Sequence, residues 1–165
     1  MADQVVVPVG IGELRASKDP SEVLVAYGLG SCVGVCMYDP ESKVGGLAHV
    51  MLPNSVDAHS QRPLSKFADQ AVPMLMEEMR KLGAVPHRMV CKIAGGAQML
   101  TAPGFSSNGF NVGERNVEAV KAVLGMHRVP LVRADTGGSR GRTLSVHLAS
   151  GKIMVRTIGE NETEL

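Results

Sequence analysis

At 165 residues, with 44% apolar and 20% charged side chains, the chain has the size and make-up of one soluble globular domain with its own core. Seventeen basic against sixteen acidic residues leave a net charge of +1, and two Tyr, three Phe and no Trp supply few stacking platforms, which together argue against nucleic acid or an anionic membrane as partner. No secretory signal opens the sequence, no uncharged run is long enough to cross a bilayer, and three cysteines are a poor basis for a disulfide framework, so a reduced cytoplasmic protein is expected.

Strands and helices alternate. Val5–Val9 and Val23–Tyr27 are short β-branched runs and read as strands. Cys32–Tyr38 and Val44–Leu52 are two more, joined by the turn sequence Asp39-Pro40-Glu41-Ser42-Lys43. Asn54–Leu64 is polar and is expected to be an exposed loop. From Ser65 the apolar residues Ala68, Ala71, Val72, Leu75, Met76, Met79 and Leu82 follow a helical period that stops at Gly83, and Pro73 inside it predicts either a later start or a bend. Met89–Ala94 is a strand leading into Gly95-Gly96. Pro103–Phe110 is a Gly/Ser/Asn segment, after which Asn111 can cap a helix with Val117, Val120 and Leu124 on one face. Val129–Ala134 is a strand. Leu144, Val146 and Leu148 alternate, turn at Ser150-Gly151, and return through Ile153, Val155 and Thr157 as a hairpin. The acidic tail Glu160–Leu165 is expected to fray.

Gly28-Leu29-Gly30-Ser31-Cys32 carries the chemistry. A cysteine leaving a glycine-rich turn, with His49 in the next apolar segment, can form a thiolate–imidazolium pair for attack on an acyl carbon. A hairpin about Asp39–Lys43 pairs residues whose numbers sum to about 81 or 82, and Cys32 and His49 are near each other in either case; only the odd register puts them on one face. Cys36 and Cys91, inside apolar strands, read as buried filler. The C-x3-C spacing is poor for zinc, and His59, His87, His127 and His147 have no partner at ligand spacing, so no metal is expected. Gly28-x-Gly30-x-x-x-Gly34 misses the dinucleotide fingerprint by one residue, and no loop ends in G-K-[ST]. The Gly137–Arg142 loop can bind an anion, meet a partner protein, or be a turn with solvated arginines.

Five segments in order resemble the chemoreceptor glutamine deamidase family, CheD: Gly28–Gly34, Ala48–Pro53, Ile93–Ala97, Asn111–Asn116 and Asp135–Gly138. The resemblance runs from about Val9 to Gly159, the expected core of a single domain spanning 1–165. It implies an α/β (α+β) sandwich of mixed sheets flanked by helices, similar to the catalytic domain of cytotoxic necrotizing factor. It also implies a cytoplasmic chemotaxis hydrolase that turns receptor glutamines into glutamate and needs no metal or organic cofactor. The family's cysteine falls on Cys32, its histidine on His49, and its third member, a threonine, on Ala26. Alanine cannot support a histidine, so a backbone carbonyl, a water, Ser31 or Tyr27 would have to. Backbone N–H groups of Cys32 and Ser31 are the expected oxyanion donors. Asn111, Arg115, Asn116 and Arg140 are candidates to contact the receptor helix. The resemblance further implies a second partner, a CheC-type phosphatase, which leaves a binding role open if Ala26 disables catalysis. Hydrolysis of receptor methyl esters is a third possibility.

Overall fold

The computed structural model describes residues 3–55, 62–99 and 111–165. Val5–Pro8 (β1) and Glu22–Leu29 (β3) lie parallel, with Val5 opposite Glu22. Between them the chain turns at Gly12, whose φ is +77°, and sends Leu14–Ser17 (β2) into a different sheet. That strand escaped the sequence reading because Leu-Arg-Ala-Ser is short and has no β-branched residue.

The remaining strands are Val33–Asp39 (β4), Val44–Val50 (β5), Val90–Gly95 (β6), Leu131–Thr136 (β7), Arg142–His147 (β8), Ile153–Thr157 (β9) and Thr163–Glu164 (β10). They complete two five-stranded sheets, ordered β1–β3–β8–β9–β10 and β2–β5–β4–β6–β7. Each sheet mixes parallel and antiparallel pairs. The α-helices among the described residues are Ala68–Lys81 (α1) and Val112–Met126 (α2). Of the later start or bend expected for α1, the later start is observed: the helix begins at Ala68, and Pro73 lies within it. No described helix is long and apolar enough to cross a membrane.

Alternation along β4 sorts the layers. Val33, Val35 and Met37 join Ala48 and Val50 of β5 in a buried cluster with Val72, Leu75 and Met79 of α1 and Val117, Val120 and Leu124 of α2. Cys36 and Leu47 face the other way, into a cluster with Leu24, Ala26 and Leu29 of β3 and Leu144 and Val146 of β8. The second sheet is thus covered by helices on one side and by the first sheet on the other, and every residue of β4 and β5 is buried. Each fully buried leucine here contributes about 2 kcal/mol. The α/β sandwich of mixed sheets is as expected, with both helices packed on the second sheet.

The β4–β5 register differs from expectation. Val33 pairs with Val50 and Asp39 with Val44, a sum of 83. Lys43 takes a left-handed φ of 58° and its N–H donates to Asp39 O at 2.8 Å, so the turn closes tightly over Pro40–Lys43. Asp39 is fully buried and its carboxylate accepts from the backbone N–H groups of Glu41 (3.0 Å) and Val85 (2.9 Å) and from Arg88 Nη2 (3.0 Å). The tail does not fray. Thr163 and Glu164 pair with β9, and Leu165 N–H donates to Ile153 O at 2.9 Å. Ladder bonds to an existing sheet edge outweigh its acidic composition. The expected Asn54–Leu64 loop falls partly, and His59 and the Pro103–Phe110 segment wholly, outside the described residues.

Candidate functional site

The turn from β3 to β4 begins at Gly28, with φ +62°, and Gly30 N–H donates back to Gly28 O at 3.0 Å. Three successive carbonyls of this turn are then taken. Gly30 O accepts from Ala97 N–H (2.8 Å), Ser31 O from Asn116 Nδ2 (2.9 Å), and Cys32 O from Gly96 N–H (2.8 Å). In a trans peptide the carbonyl and the next N–H point in opposite directions. The Ser31 and Cys32 N–H groups are therefore turned away from those partners, and among the described residues no backbone carbonyl takes either one. Two glycine-bearing segments make this crossing possible. A Cβ on Gly95 would lie 2.2 Å from Cys32 O, and one on Gly113 would lie 2.4 Å from Ala97 O.

His49 lies opposite Gly34 in β5. Carried one residue past Val33, the same register sets Cys32 opposite Met51 and diagonal to His49, at roughly 7–8 Å between Cα atoms in a regular sheet. Because the pairing sum is odd, both side chains belong to the face that meets the first sheet. Cys32 is 8% exposed and His49 is 2% exposed. His49 Nδ1 lies 3.0 Å from Val9 O. A carbonyl only accepts, so Nδ1 carries the hydrogen and Nε2 keeps its lone pair. Nε2 is buried and has no hydrogen-bond partner among the described residues. The strand itself is held by Gly12 N–H to His49 O and by His49 N–H to Glu13 O, both 3.0 Å.

Burial raises the Cys32 thiol above its ordinary range. Burial also lowers His49, against the opposing pull of the Val9 carbonyl and the Glu13 charge. Both shifts favour the neutral forms, a thiol at Cys32 and an imidazole at His49, over the thiolate–imidazolium pair expected from the sequence.

Ala26 is fully buried in β3, opposite Leu144, in the core between the sheets. The hydrogen bond to the histidine ring comes from the β1–β2 connection through Val9 O, one of the substitutes the missing hydroxyl called for, rather than from Ser31 or Tyr27. Tyr27 is 55% exposed and lines a hollow with Val23, Val25, Ser145, His147 and Arg156 on the outer face of the first sheet, away from Cys32. The carbonyl partner left no trace in the sequence, since every residue type carries one.

The four expected contact residues separate. Asn111 caps α2, accepting from Glu114 N–H at 3.0 Å, and lines a hollow with Gly96, Glu114, Lys121, Gly137 and Gly138. Arg115 is exposed on the first turns of α2. Arg140 is exposed and bonds Ile158 O (3.2 Å) and Glu160 (2.7 Å). Asn116 is fully buried and offers no contact surface: its Nδ2 donates both to Ser31 O and to Met51 O, each at 2.9 Å. Arg142, read with Arg140 as part of the Gly137–Arg142 loop, is also buried rather than solvated, with Asp135 at 3.2 Å and Gly95 O at 3.3 Å.

A family model described as CheD chemotactic sensory transduction matches residues 51–157. The chain is 49% identical to the chemoreceptor glutamine deamidase CheD of Thermotoga maritima over 93% of each chain. It is 42% identical to a protein of Symbiobacterium thermophilum named "Probable chemoreceptor glutamine deamidase CheD", over the full length of both. Among solved structures, the YfiH protein of Bacillus licheniformis aligns with a TM-score of 0.49 and 14% identity, over 82% of this chain and 61% of that one. A Neisseria meningitidis protein of the DUF152 family gives 0.49 and 11%, over 82% and 64%. Neither of these neighbours is a necrotizing factor domain.

Proposed function

The chain belongs to the CheD family, and from that premise we propose that it is a protein-glutamine deamidase of bacterial chemotaxis, with Cys32 as nucleophile and His49 as base. Its substrate is a glutamine in the cytoplasmic region of a methyl-accepting chemoreceptor, and the whole chain acts as one domain. The Nδ1–Val9 bond carries most weight, because it leaves a basic Nε2 on the face shared with Cys32 without any help from position 26.

In this scheme His49 Nε2 removes the Cys32 proton as the sulfur attacks the carboxamide carbon. The Cys32 and Ser31 N–H groups, which no described backbone carbonyl takes, meet the oxyanion, each donor worth about 3 kcal/mol. His49 then protonates the departing nitrogen, ammonia leaves, and a thioester remains. Water activated by the same imidazole hydrolyses it to glutamate and restores the thiol. The receptor helix gains one negative charge per event. Neither a metal nor an organic cofactor enters this scheme.

The test is to incubate a glutamine-bearing receptor fragment with the parent and with Cys32→Ala, then locate glutamate by tandem mass spectrometry. Conversion by the parent alone supports the assignment; conversion by neither removes it. Ala26 favours one alternative, a binding role toward a CheC-type phosphatase without catalysis. Pull-down of that phosphatase by a parent that leaves glutamine intact would select it. Activity on receptor methyl esters but not on glutamine would select an esterase instead.

A further inference from the structure

Resting on the proposed acyl chemistry at Cys32, we propose that Asn116 is a positioning residue that aims the Cys32 backbone N–H at the oxyanion. Both partners of its side-chain nitrogen are carbonyls, Ser31 O and Met51 O, so the amide orientation is dictated by chemistry: the NH2 group faces them and spends one hydrogen on each. Its Oδ1 is buried without a hydrogen-bond partner among the described residues, which marks the group as held for its donors.

Ser31 C=O and Cys32 N–H are the two ends of one peptide plane. Of the three anchored carbonyls, Gly30 and Cys32 are held by backbone N–H groups, which every substitution but proline retains, and only the middle one is held by a side chain. Without Asn116 the 31–32 peptide is free to rotate between two fixed neighbours. A half-turn would take the N–H away from the attack site and bring a carbonyl oxygen toward it, opposing the developing negative charge. The second hydrogen, on Met51 O, ties the same turn to the strand end two residues beyond His49, so one carboxamide sets both the donor's direction and the spacing of the pair. Helix α2 delivers this group because Gly113, one turn earlier, lies against the Gly96 and Ala97 carbonyls.

Two reactions of Cys32 separate aiming from simple support. Acylation by p-nitrophenyl acetate forms a thioester through a tetrahedral oxyanion and releases p-nitrophenolate. Alkylation by iodoacetamide displaces iodide and forms no oxyanion. Both rates are read at Cys32, so their ratio cancels any change in thiol access or ionisation that the two reactions share. In Asn116→Ala that ratio is expected to fall about 100-fold, with alkylation within threefold of the parent. Should Cys36 and Cys91 become labelled, showing a loosened fold, the same ratio is read in Asn116→Leu, which fills the volume and lacks both donors. Deamidation of a receptor fragment should lose kcat in step with the ratio, with KM within threefold. An unchanged ratio overturns the proposal, as does an equal fall in both reactions, which would make Asn116 a general support of the turn. A parent that is alkylated but never acylated has no oxyanion site to aim, and overturns it too. A parent that is acylated but leaves glutamine intact overturns the deamidase assignment alone, and the ratio still judges Asn116.

Discussion

Alanine at Gly95 and at Gly83 makes a matched pair that isolates how tightly the Gly28–Cys32 turn is held. Both glycines have positive φ, +116° and +107°, so each substitution carries backbone strain of about 1–3 kcal/mol. At Gly83 a new Cβ meets nothing within 4 Å. At Gly95 it meets Cys32 O at 2.2 Å and Val33 Cα at 3.3 Å, backbone atoms that no rotamer change can move aside. Restoring ordinary contact displaces that carbonyl by roughly 1 Å, an overpacking cost of about 1–3 kcal/mol. At 2–4 °C per kcal/mol for this chain length, Gly95→Ala should melt roughly 2–12 °C below Gly83→Ala. Titration with a chromogenic disulfide reagent supplies the local readout, since Cys36 and Cys91 are fully buried and only Cys32 has any exposed surface. Its rate should change at least about threefold in Gly95→Ala and stay at the parent value in Gly83→Ala, as expected for a displaced thiol. Equal melting temperatures and equal thiol rates in the two variants would refute the close crossing of Gly95 over Cys32.

Ala26→Thr places a hydroxyl in the core between the sheets while the Nδ1 hydrogen of His49 is already given to Val9 O; deamidation should stay within threefold of the parent and stability should fall by about 1–2 kcal/mol. A tenfold gain in kcat would show the carbonyl to be an inadequate support. Because burial holds Cys32 protonated and His49 neutral, the rate of Cys32 alkylation should keep climbing beyond the ordinary thiol pKa of about 8.5. A plateau already reached at pH 7 would reveal a preformed ion pair. Burial alone would raise Asp39, but hydrogen bonds from Arg88, Val85, Ser42 and Glu41 hold its carboxyl well below the usual range. Its contribution is therefore complete above about pH 4, where an unfolded carboxyl is also ionised, and is lost as the pH falls below that value. Asp39→Asn should cost about 3 kcal/mol at pH 7 by urea unfolding, with the gap to the parent narrowing toward pH 3. A constant gap would show that the charge contributes nothing.

What could be read before the fold was known divides along the line between side chains and backbone. The β4–β5 hairpin was legible because Asp39-Pro40 and the flanking apolar runs are side-chain signals, yet its register was off because Lys43 adopts a left-handed conformation that lysine does not advertise. Asn111 was legible as a cap, with Glu114 three residues on completing the pattern. Asn116 sat in a polar string, Arg-Asn, that reads as surface; only the docking of α2 against the turn shows it to be internal. Cys32 and His49 could be paired by counting along the hairpin, whereas the partner of the histidine could not. Val9 lies forty residues from it, and the atom involved belongs to the main chain.

The distribution of these contacts along the chain also has a bearing on when the protein becomes active during its own synthesis. Cys32 and His49 leave the ribosome early, but the groups that hold the turn at Cys32 come from residues 96, 97 and 116. Until those residues have emerged and α2 has docked, the cysteine belongs to an unanchored loop and carries the reactivity of a free thiol in water. A nascent chain thus displays an ordinary cysteine, open to adventitious oxidation, for most of its translation. In the finished protein Cys32 is withdrawn to 8% exposure. Reducing conditions around the ribosome protect the residue in the interval before the fold can do so.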